Sequence, residues 1–301
     1  MANNFSLLLL RKPTGITSFE SLRPVKRHVD KKVGHAGTLD KFAEGLMIVL
    51  TGRFTKLNPL LGDLDKRYVA TVRFGEETDT LDPEGKVIAT AALPSEETVA
   101  EVLKRSFTGS IMQSPPQYSA IHIDGKRAYR MAREGIEVHM PSRPVTIHSI
   151  RIVGWDGSDM ILDVRCSKGT YIRSLARDIA RASGSRAHLV ALKRTEIGPF
   201  RFEDAIDPED TKALLAHCEG SVDRLMMLDG IGRITVDRES SLRLTYGNLP
   251  DARGIILREC GAQDTHAAIF SEEGTLLAVT AIDSTGMPVS VMALPCVRSD
   301  G

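Results

Sequence analysis

GHAGTLDKFAEGL, residues 34–46, decides how this chain is read. It sets one carboxylate, Asp40, behind a glycine-studded run that also carries His35 and Thr38. Gly is costly inside a helix, and the run lacks the alternation of a half-buried strand. It therefore reads as a loop shaped around something. Taken alone, an Asp in such a place closes an Asx turn or caps a helix; its meaning depends on its company.

Outward from that loop, strands and helices mix without a βαβ rhythm. A first strand is expected over 5–10, then a turn at Lys12-Pro13-Thr14-Gly15. Thr17-Ser18-Phe19-Glu20 fits a capping box that opens a helix, with Pro24 kinking or shortening it. Tyr68, Ala70, Val72 and Phe74 alternate onto one face, as do Met160, Leu162, Val164 and Cys166. Residues 80–85 read as a turn, with a return strand over 86–92. Helices are expected over 95–107, capped by Ser95, and over 171–182, with Ile172, Leu175, Ala176, Ile179 and Ala180 as the apolar stripe. Beyond Asp229 come short β-like runs at 233–236, 267–270, 276–282 and 289–294. This pattern predicts an α+β fold with a mainly antiparallel sheet, a large domain over 1–228 and a small β-rich domain over 229–301.

At 301 residues and 42% hydrophobic, the chain can bury a sizeable core. No stretch reaches the roughly 20 apolar residues of a membrane span. The apolar run near the start lacks a cationic leader and reads as a strand, not a signal peptide. Cys166, Cys218, Cys260 and Cys296 form no C-x-x-C pair, and the 8 histidines form no H-E-x-x-H. Neither a metal site nor a disulfide framework is expected, and reduced thiols fit a cytoplasmic protein. Net charge is zero but segregated. Residues 1–73 carry 13 Lys and Arg against 6 Asp and Glu, and residues 105–200 carry 15 against 8. Residues 74–104 carry 2 against 8, and residues 201–301 carry 9 against 17. Two basic blocks that hold the unusual loops point to a polyanion partner, a nucleic acid.

Three features give Asp40 a chemical setting. With Thr170 as cap, Arg173 stands third in its helix, where a cation opposes the helix dipole; an anion such as Asp40 or a phosphate removes the conflict. Tyr68 and Tyr171 offer rings suited to stacking on a nucleobase. Residues 118–133 interleave Tyr118 and Tyr129 with His122, Lys126, Arg127, Arg130 and Arg133, a composition that suits unstacked RNA loops.

At these residues the sequence resembles the bacterial tRNA pseudouridine-55 synthases, the TruB family, over about residues 9–200. Gly34, His35, Gly37, Thr38, Leu39, Asp40, Ala43, Gly45 and Leu46 fit the family's G-H-x-G-T-L-D-x-x-A-x-G-L signature. Lys12-Pro13-x-Gly15 resembles its first motif, and Asp65-Lys66-Arg67-Tyr68 its tyrosine motif. Pro116-x-Tyr118-Ser119-Ala120 and Gly125-Lys126-x-x-Tyr129-x-x-Ala132-Arg133-x-Gly135 resemble its mobile RNA-gripping segment, here 118–141. Residues 166–173, CSKGTYIR, resemble its arginine motif, and Leu192-Lys193-Arg194-Thr195 its last motif. The sequence departs from the pattern at Lys41, Phe42, Glu44, Arg53, Phe54 and His122.

The resemblance implies a pseudouridine-synthase fold with a C-terminal PUA-like RNA-binding domain. It implies isomerisation of uridine to pseudouridine at position 55 in the T arm of tRNA, without cofactor or metal. A monomer with no obligate protein partner and no membrane association is implied as well. By the same resemblance Asp40 is the nucleophile, Arg173 pairs with it, and Tyr68 stacks on the base and aids late proton transfer. His35 fills the place of the flipped base, while Tyr171 and Leu192 wall the pocket. Lys12, Lys126 and Arg127 join the substrate-binding set. Attack at C1′, attack at C6 and removal of the C2′ proton all remain open, and each needs an ionised carboxylate. Three rivals stand beside this reading: a non-catalytic RNA-binding protein, a glycosidase-like hydrolase, which needs two carboxylates about the scissile bond, and a sister synthase working on other RNA.

Overall fold

The structure is a computed structural model that describes residues 5–118, 122–123, 126–127 and 140–293. The strands up to residue 201 are β1 (Phe5–Lys12), β2 (Val33–Ala36), β3 (Glu44–Gly52), β4 (Lys66–Phe74), β5 (Glu76–Thr78), β6 (Val87–Thr90), β7 (Gly109–Gln113), β8 (His122–Ile123), β9 (Lys126–Arg127), β10 (Arg143–Asp156), β11 (Asp159–Cys166), β12 (Ala187–Ile197) and β13 (Phe200–Arg201). Nine of them form one sheet in the order β1-β3-β12-β4-β11-β10-β7, with β2 added to β3 and β13 to β12. Its one parallel pairing sets Lys193 and Arg194 of β12 beside Glu44 and Gly45 of β3. The helices are α1 (Arg23–His28), α2 (Asn58–Gly62), α3 (Glu96–Ser106), α4 (Ile172–Ala182), α5 (Thr211–Glu219), α6 (Ser221–Met226) and α7 (Arg238–Thr245). A second sheet follows, β14 (Ile231–Val236), β15 (Ile255–Glu259), β16 (His266–Phe270), β17 (Leu276–Ile282) and β18 (Pro288–Ala293), in the order β15-β14-β16-β17-β18. The fold is thus α+β with mainly antiparallel sheets and a β-rich C-terminal region.

The apolar pattern explains which faces are covered. In β4 and β11 the alternating residues turn one face inward, where Tyr68, Ala70, Val72, Met160, Leu162 and Val164 pack with Val99 and Leu103 of α3 and Leu175 and Ile179 of α4. The unbroken leucines of β1 are buried on both sides, as a continuous apolar run requires. Leu7 and Leu9 join Leu46, Ile48 and Leu50 in a cluster that includes Ala268, Phe270 and Val279 of the second sheet. Leu8 and Leu10 join Met47 and Val49 under Leu22, Val25 and Leu214. Each such side chain contributes about 1.5–3 kcal/mol, so these clusters dominate the packing. Among the described residues no helix is long and apolar enough to cross a membrane.

The free edge of β1 is sealed mostly by side chains. The Leu7 N–H donates to Ser221 Oγ at 3.1 Å, and the Leu9 N–H to His217 Nε2 at 3.2 Å. Arg224 Nε donates to the Leu7 carbonyl at 2.8 Å. Ile206 closes the rest through main-chain bonds to Leu9 and Arg11.

Several local expectations are corrected. Residues 34–46 are not one loop: β2 pairs antiparallel with β3, Gly34 opposite Leu50 and His35 opposite Val49, so the loop is confined to 37–43. The capping box forms, with Thr17 and Glu20 bonded reciprocally. It opens a 3-10 turn over Glu20–Leu22, and Pro24 stands in the first turn of α1, where its missing N–H is harmless. The cap of α4 is Tyr171, not Thr170. In the second sheet region, α7 and β15 had no counterpart in the sequence reading.

His217 accepts the Leu9 N–H, so it must be neutral, and burial pushes its imidazole down to about 4 from the usual 6.5. The unfolded chain takes up that proton below about pH 6.5 while the fold resists it, so stability falls as pH drops from 6.5 towards 4. Urea midpoints at pH 7.5 and 5.0 should fall less for His217→Gln, which keeps an acceptor and does not titrate. An equal fall for both proteins would clear His217 of this role.

Candidate active site

The 37–43 loop carries Asp40, and buried polar side chains hold it from below. Ser18 Oγ lies 2.9 Å from both the N–H and the carbonyl of Leu39. Lys12, expected among the substrate-binding residues, is instead only 1% exposed. Its ammonium donates to the carbonyls of Ala43 at 2.6 Å and Pro13 at 2.9 Å, and burial pushes it down to about 8. Its partners are loop carbonyls, so its place is under the Asp40 loop.

Arg173 meets Asp40 across 133 residues of chain. Arg173 Nη2 donates to Asp40 Oδ1 at 3.0 Å, and Nε lies 3.0 Å from Oδ2, off the line of its N–H. The Arg173 side chain is 6% exposed and that of Asp40 37%, so the guanidinium is closed off while the carboxylate remains reachable. The other side of the guanidinium is also occupied. Nη1 donates to the Thr80 carbonyl at 2.9 Å and to Asp82 Oδ2 at 3.1 Å, and Nη2 also reaches the Tyr118 carbonyl at 3.1 Å.

Asp82 lies in the turn expected over 80–85. That turn is built to present it: Asp82 Oδ1 accepts from Thr80 Oγ1 at 2.6 Å and from the Glu84 N–H at 3.0 Å, and Leu81 sits at φ 62°. A Cβ on Gly85 would fall 2.3 Å from Thr80 Oγ1, which explains the glycine. The sequence held one usable signal, an Asp-Pro step in the acidic block between the two basic ones.

Arg173 is the second residue of α4, where the dipole disfavours a cation by about 0.3–1 kcal/mol. Removing one partner of a buried ion pair costs about 3–5 kcal/mol, so pairing outweighs the dipole. The α4 cap is held by the side chain of Gln113: the Tyr171 N–H donates to Oε1 at 2.8 Å and Nε2 donates to the Tyr171 carbonyl at 3.1 Å.

Leu39, Tyr68, Ile172 and Leu192 fall in one buried cluster beside the pair. Tyr68 lies opposite Arg194, and Leu192 opposite Ala70, in the β4–β12 ladder. Burial pushes the Tyr68 hydroxyl up and the Arg194 guanidinium beside it pulls back. Tyr171 is half-buried, with the Arg143 guanidinium 5.2 Å from its ring centre. His35 is half-buried on β2 and its Nδ1 has no hydrogen-bond partner; burial, then Arg194, holds the imidazole below its usual range. The backbones of Lys126 and Arg127 pair with His122–Ile123. Their side chains, and most of the 118–141 segment, lie outside the described residues. Among the described residues no group of three or more His, Cys, Asp or Glu could hold a metal ion.

Burial pushes the Asp40 carboxyl up, Arg173 pulls it down, and the charge on Asp82 pushes it up again; the net direction is up from 3.8. Carboxyl-carbon NMR titration should place Asp40 above the ordinary range and show it falling in Asp82→Asn, which removes a like charge. A parent Asp40 that titrates at or below 3.8 would contradict this balance.

Comparison with known proteins gives this arrangement a context. Residues 26–172 match the N-terminal domain of TruB family pseudouridylate synthases. The chain is 48% identical over 209 residues to "tRNA pseudouridine synthase B" of Borreliella burgdorferi (strain ZS7), covering 68% of this chain and 73% of that one. It is 48% identical over 213 residues to the protein of the same name from Bordetella pertussis, covering 69% and 87%. Among solved structures, a chain of a Cbf5-Nop10-Gar1 complex superposes with TM-score 0.71 at 25% identity, over 99% of this chain and 87% of that one. A chain of the archaeal box H/ACA sRNP Nop10-Cbf5 complex gives TM-score 0.70 at 23% identity, over 99% and 88%.

Proposed function

Because the chain belongs to the TruB family of pseudouridylate synthases, we propose that it converts uridine to pseudouridine at position 55 in the T arm of tRNA, with Asp40 as nucleophile. The observation that supports this reading is the Asp40–Arg173 pair: one reachable carboxylate held by a closed-off guanidinium.

The target base must leave its stack, at a cost of a few kcal/mol. His35, neutral and half-buried, fills the place of the base. Tyr68 stacks on the uracil, between Leu192 and Tyr171. Asp40 acts at the sugar–base junction, where the N1–C1′ bond breaks. The base turns, C5 bonds to C1′, the C5 proton leaves with help from the Tyr68 hydroxyl, and N1 gains a proton. The isomerisation exchanges one bond and one proton within the substrate, and so needs no external oxidant, reductant or group donor. Lys126 and Arg127 hold phosphates in the 118–141 segment, positioning RNA without reading its sequence. Residues 1–228 form the catalytic domain, and 229–301 a PUA-like RNA-binding domain, which the separate second sheet supports.

Asp82 does not make the site a two-carboxylate hydrolase. It is 6% exposed, and both of its oxygens are engaged on the far side of Arg173.

A T stem-loop transcript incubated with the protein should gain pseudouridine at position 55 alone. Asp40→Asn should bind tRNA within about threefold of the parent, yet release tritium from C5-labelled uridine below about one ten-thousandth of its rate. Turnover retained in Asp40→Asn, or free uracil as product, would overturn the assignment.

A further inference from the structure

Arg194 is a cation that the chemistry above leaves without a task. It is 1% exposed and heads the large, fully buried side chains of the described residues. A guanidinium cannot shed its charge in a protein, so burying it demands acceptors. Here the acceptors are main-chain carbonyls. Nε donates to the Leu46 carbonyl at 2.8 Å and Nη2 to the Gly37 carbonyl at 3.0 Å. Those carbonyls stand on either side of Asp40, at the exit from β2 and the entry to β3.

Two glycines of the 34–46 stretch are shaped to the same residue. Gly37 has φ +79°, and a Cβ there would lie 3.3 Å from Arg194 Nη1. Gly45 has φ +128°, and a Cβ there would lie 2.4 Å from the Arg194 carbonyl oxygen. The second contact is with backbone, which cannot step aside. The loop and Arg194 therefore fit as one unit. Directly across the β4–β12 ladder stands Tyr68, whose hydroxyl burial pushes up and the Arg194 guanidinium pulls back.

We propose that Arg194 is a positioning residue, which spans the Asp40 loop from Gly37 to Leu46 and fixes it against the Tyr68 hydroxyl. One rigid guanidinium thereby sets the distance between the carboxylate and the ring that flank the substrate base. It also sets a fixed positive charge near the Tyr68 hydroxyl, which opposes the upward push that burial gives that group. The inference rests on the Asp40 reading above.

The test uses Arg194→Met and Arg194→Lys on full tRNA. A misplacement of about 1 Å can cost on the order of 100-fold in rate. Single-turnover rates should therefore fall by about that factor in both variants, with tRNA affinity by filter binding within about threefold. Arg194→Lys keeps the buried cation but not the two-carbonyl span. It should retain the parent pH dependence of C5-tritium release, whereas Arg194→Met should shift that profile upward. Arg194→Lys also keeps the test open if the Met variant does not fold. Parent rates in a folded Arg194→Lys, or a loss confined to tRNA affinity, would refute the proposal. Those results, with pseudouridine still formed by the parent and lost in Asp40→Asn, would leave the Asp40 reading intact.

Discussion

The guanidinium of Arg173, gripped from both sides, is the constraint around which the site is arranged. Asp82 and the Thr80 carbonyl hold one edge, so the opposite edge is aimed at Asp40. Three distant segments must converge for that to happen: the 37–43 loop, the 80–85 turn and the start of α4. None is stable in that shape by local preference. Leu81 is in the left-handed region, α4 begins with a cation against its own dipole, and the loop needs glycines on both flanks. The β2–β3 pair, the separate β5–β6 hairpin and the end of β11 bring the three segments together, and the ion contacts then lock the arrangement.

A second layer of charge lies below the first and works differently. Lys12, Lys66 and Arg194 are all buried, and their hydrogen bonds end on main-chain carbonyls. Carbonyls that have left the sheet ladder need donors, and these cations supply them. Burial pushes both lysines down to about 8. The loop around Asp40 thus draws its shape from side chains planted in neighbouring strands more than from its own backbone pairing.

Legibility in the sequence followed periodicity. The strand faces of Tyr68–Phe74 and Met160–Cys166 and the stripe of α4 were readable because burial imposes a repeat of 2 or about 3.6. The Asp40–Arg173 approach was readable from an electrostatic misfit at one helix start. What escaped depends on partners far away in the chain. Residues 34–36 become a strand only because β3 lies alongside. Tyr171 displaces Thr170 as cap because Gln113, 58 residues away, holds its main chain. Asp82 and Arg194 look ordinary until folding places them behind and beneath the pair. The helix α7 begins Arg-Glu-Ser-Ser, and β15 is exposed along most of its length, so neither shows an apolar repeat.

The second sheet is not a loosely tethered appendage. Ala268, Phe270, Leu276 and Val279 share one continuous apolar interior with Phe5, Leu9, Leu50 and Phe54 of the first. Interfaces of that kind resist hinge motion, unlike the polar contacts between independently tumbling modules. The span from Asp40 to the outer surface of the C-terminal sheet is therefore a constant of the molecule. Any long ligand that touched both would meet them at one fixed separation.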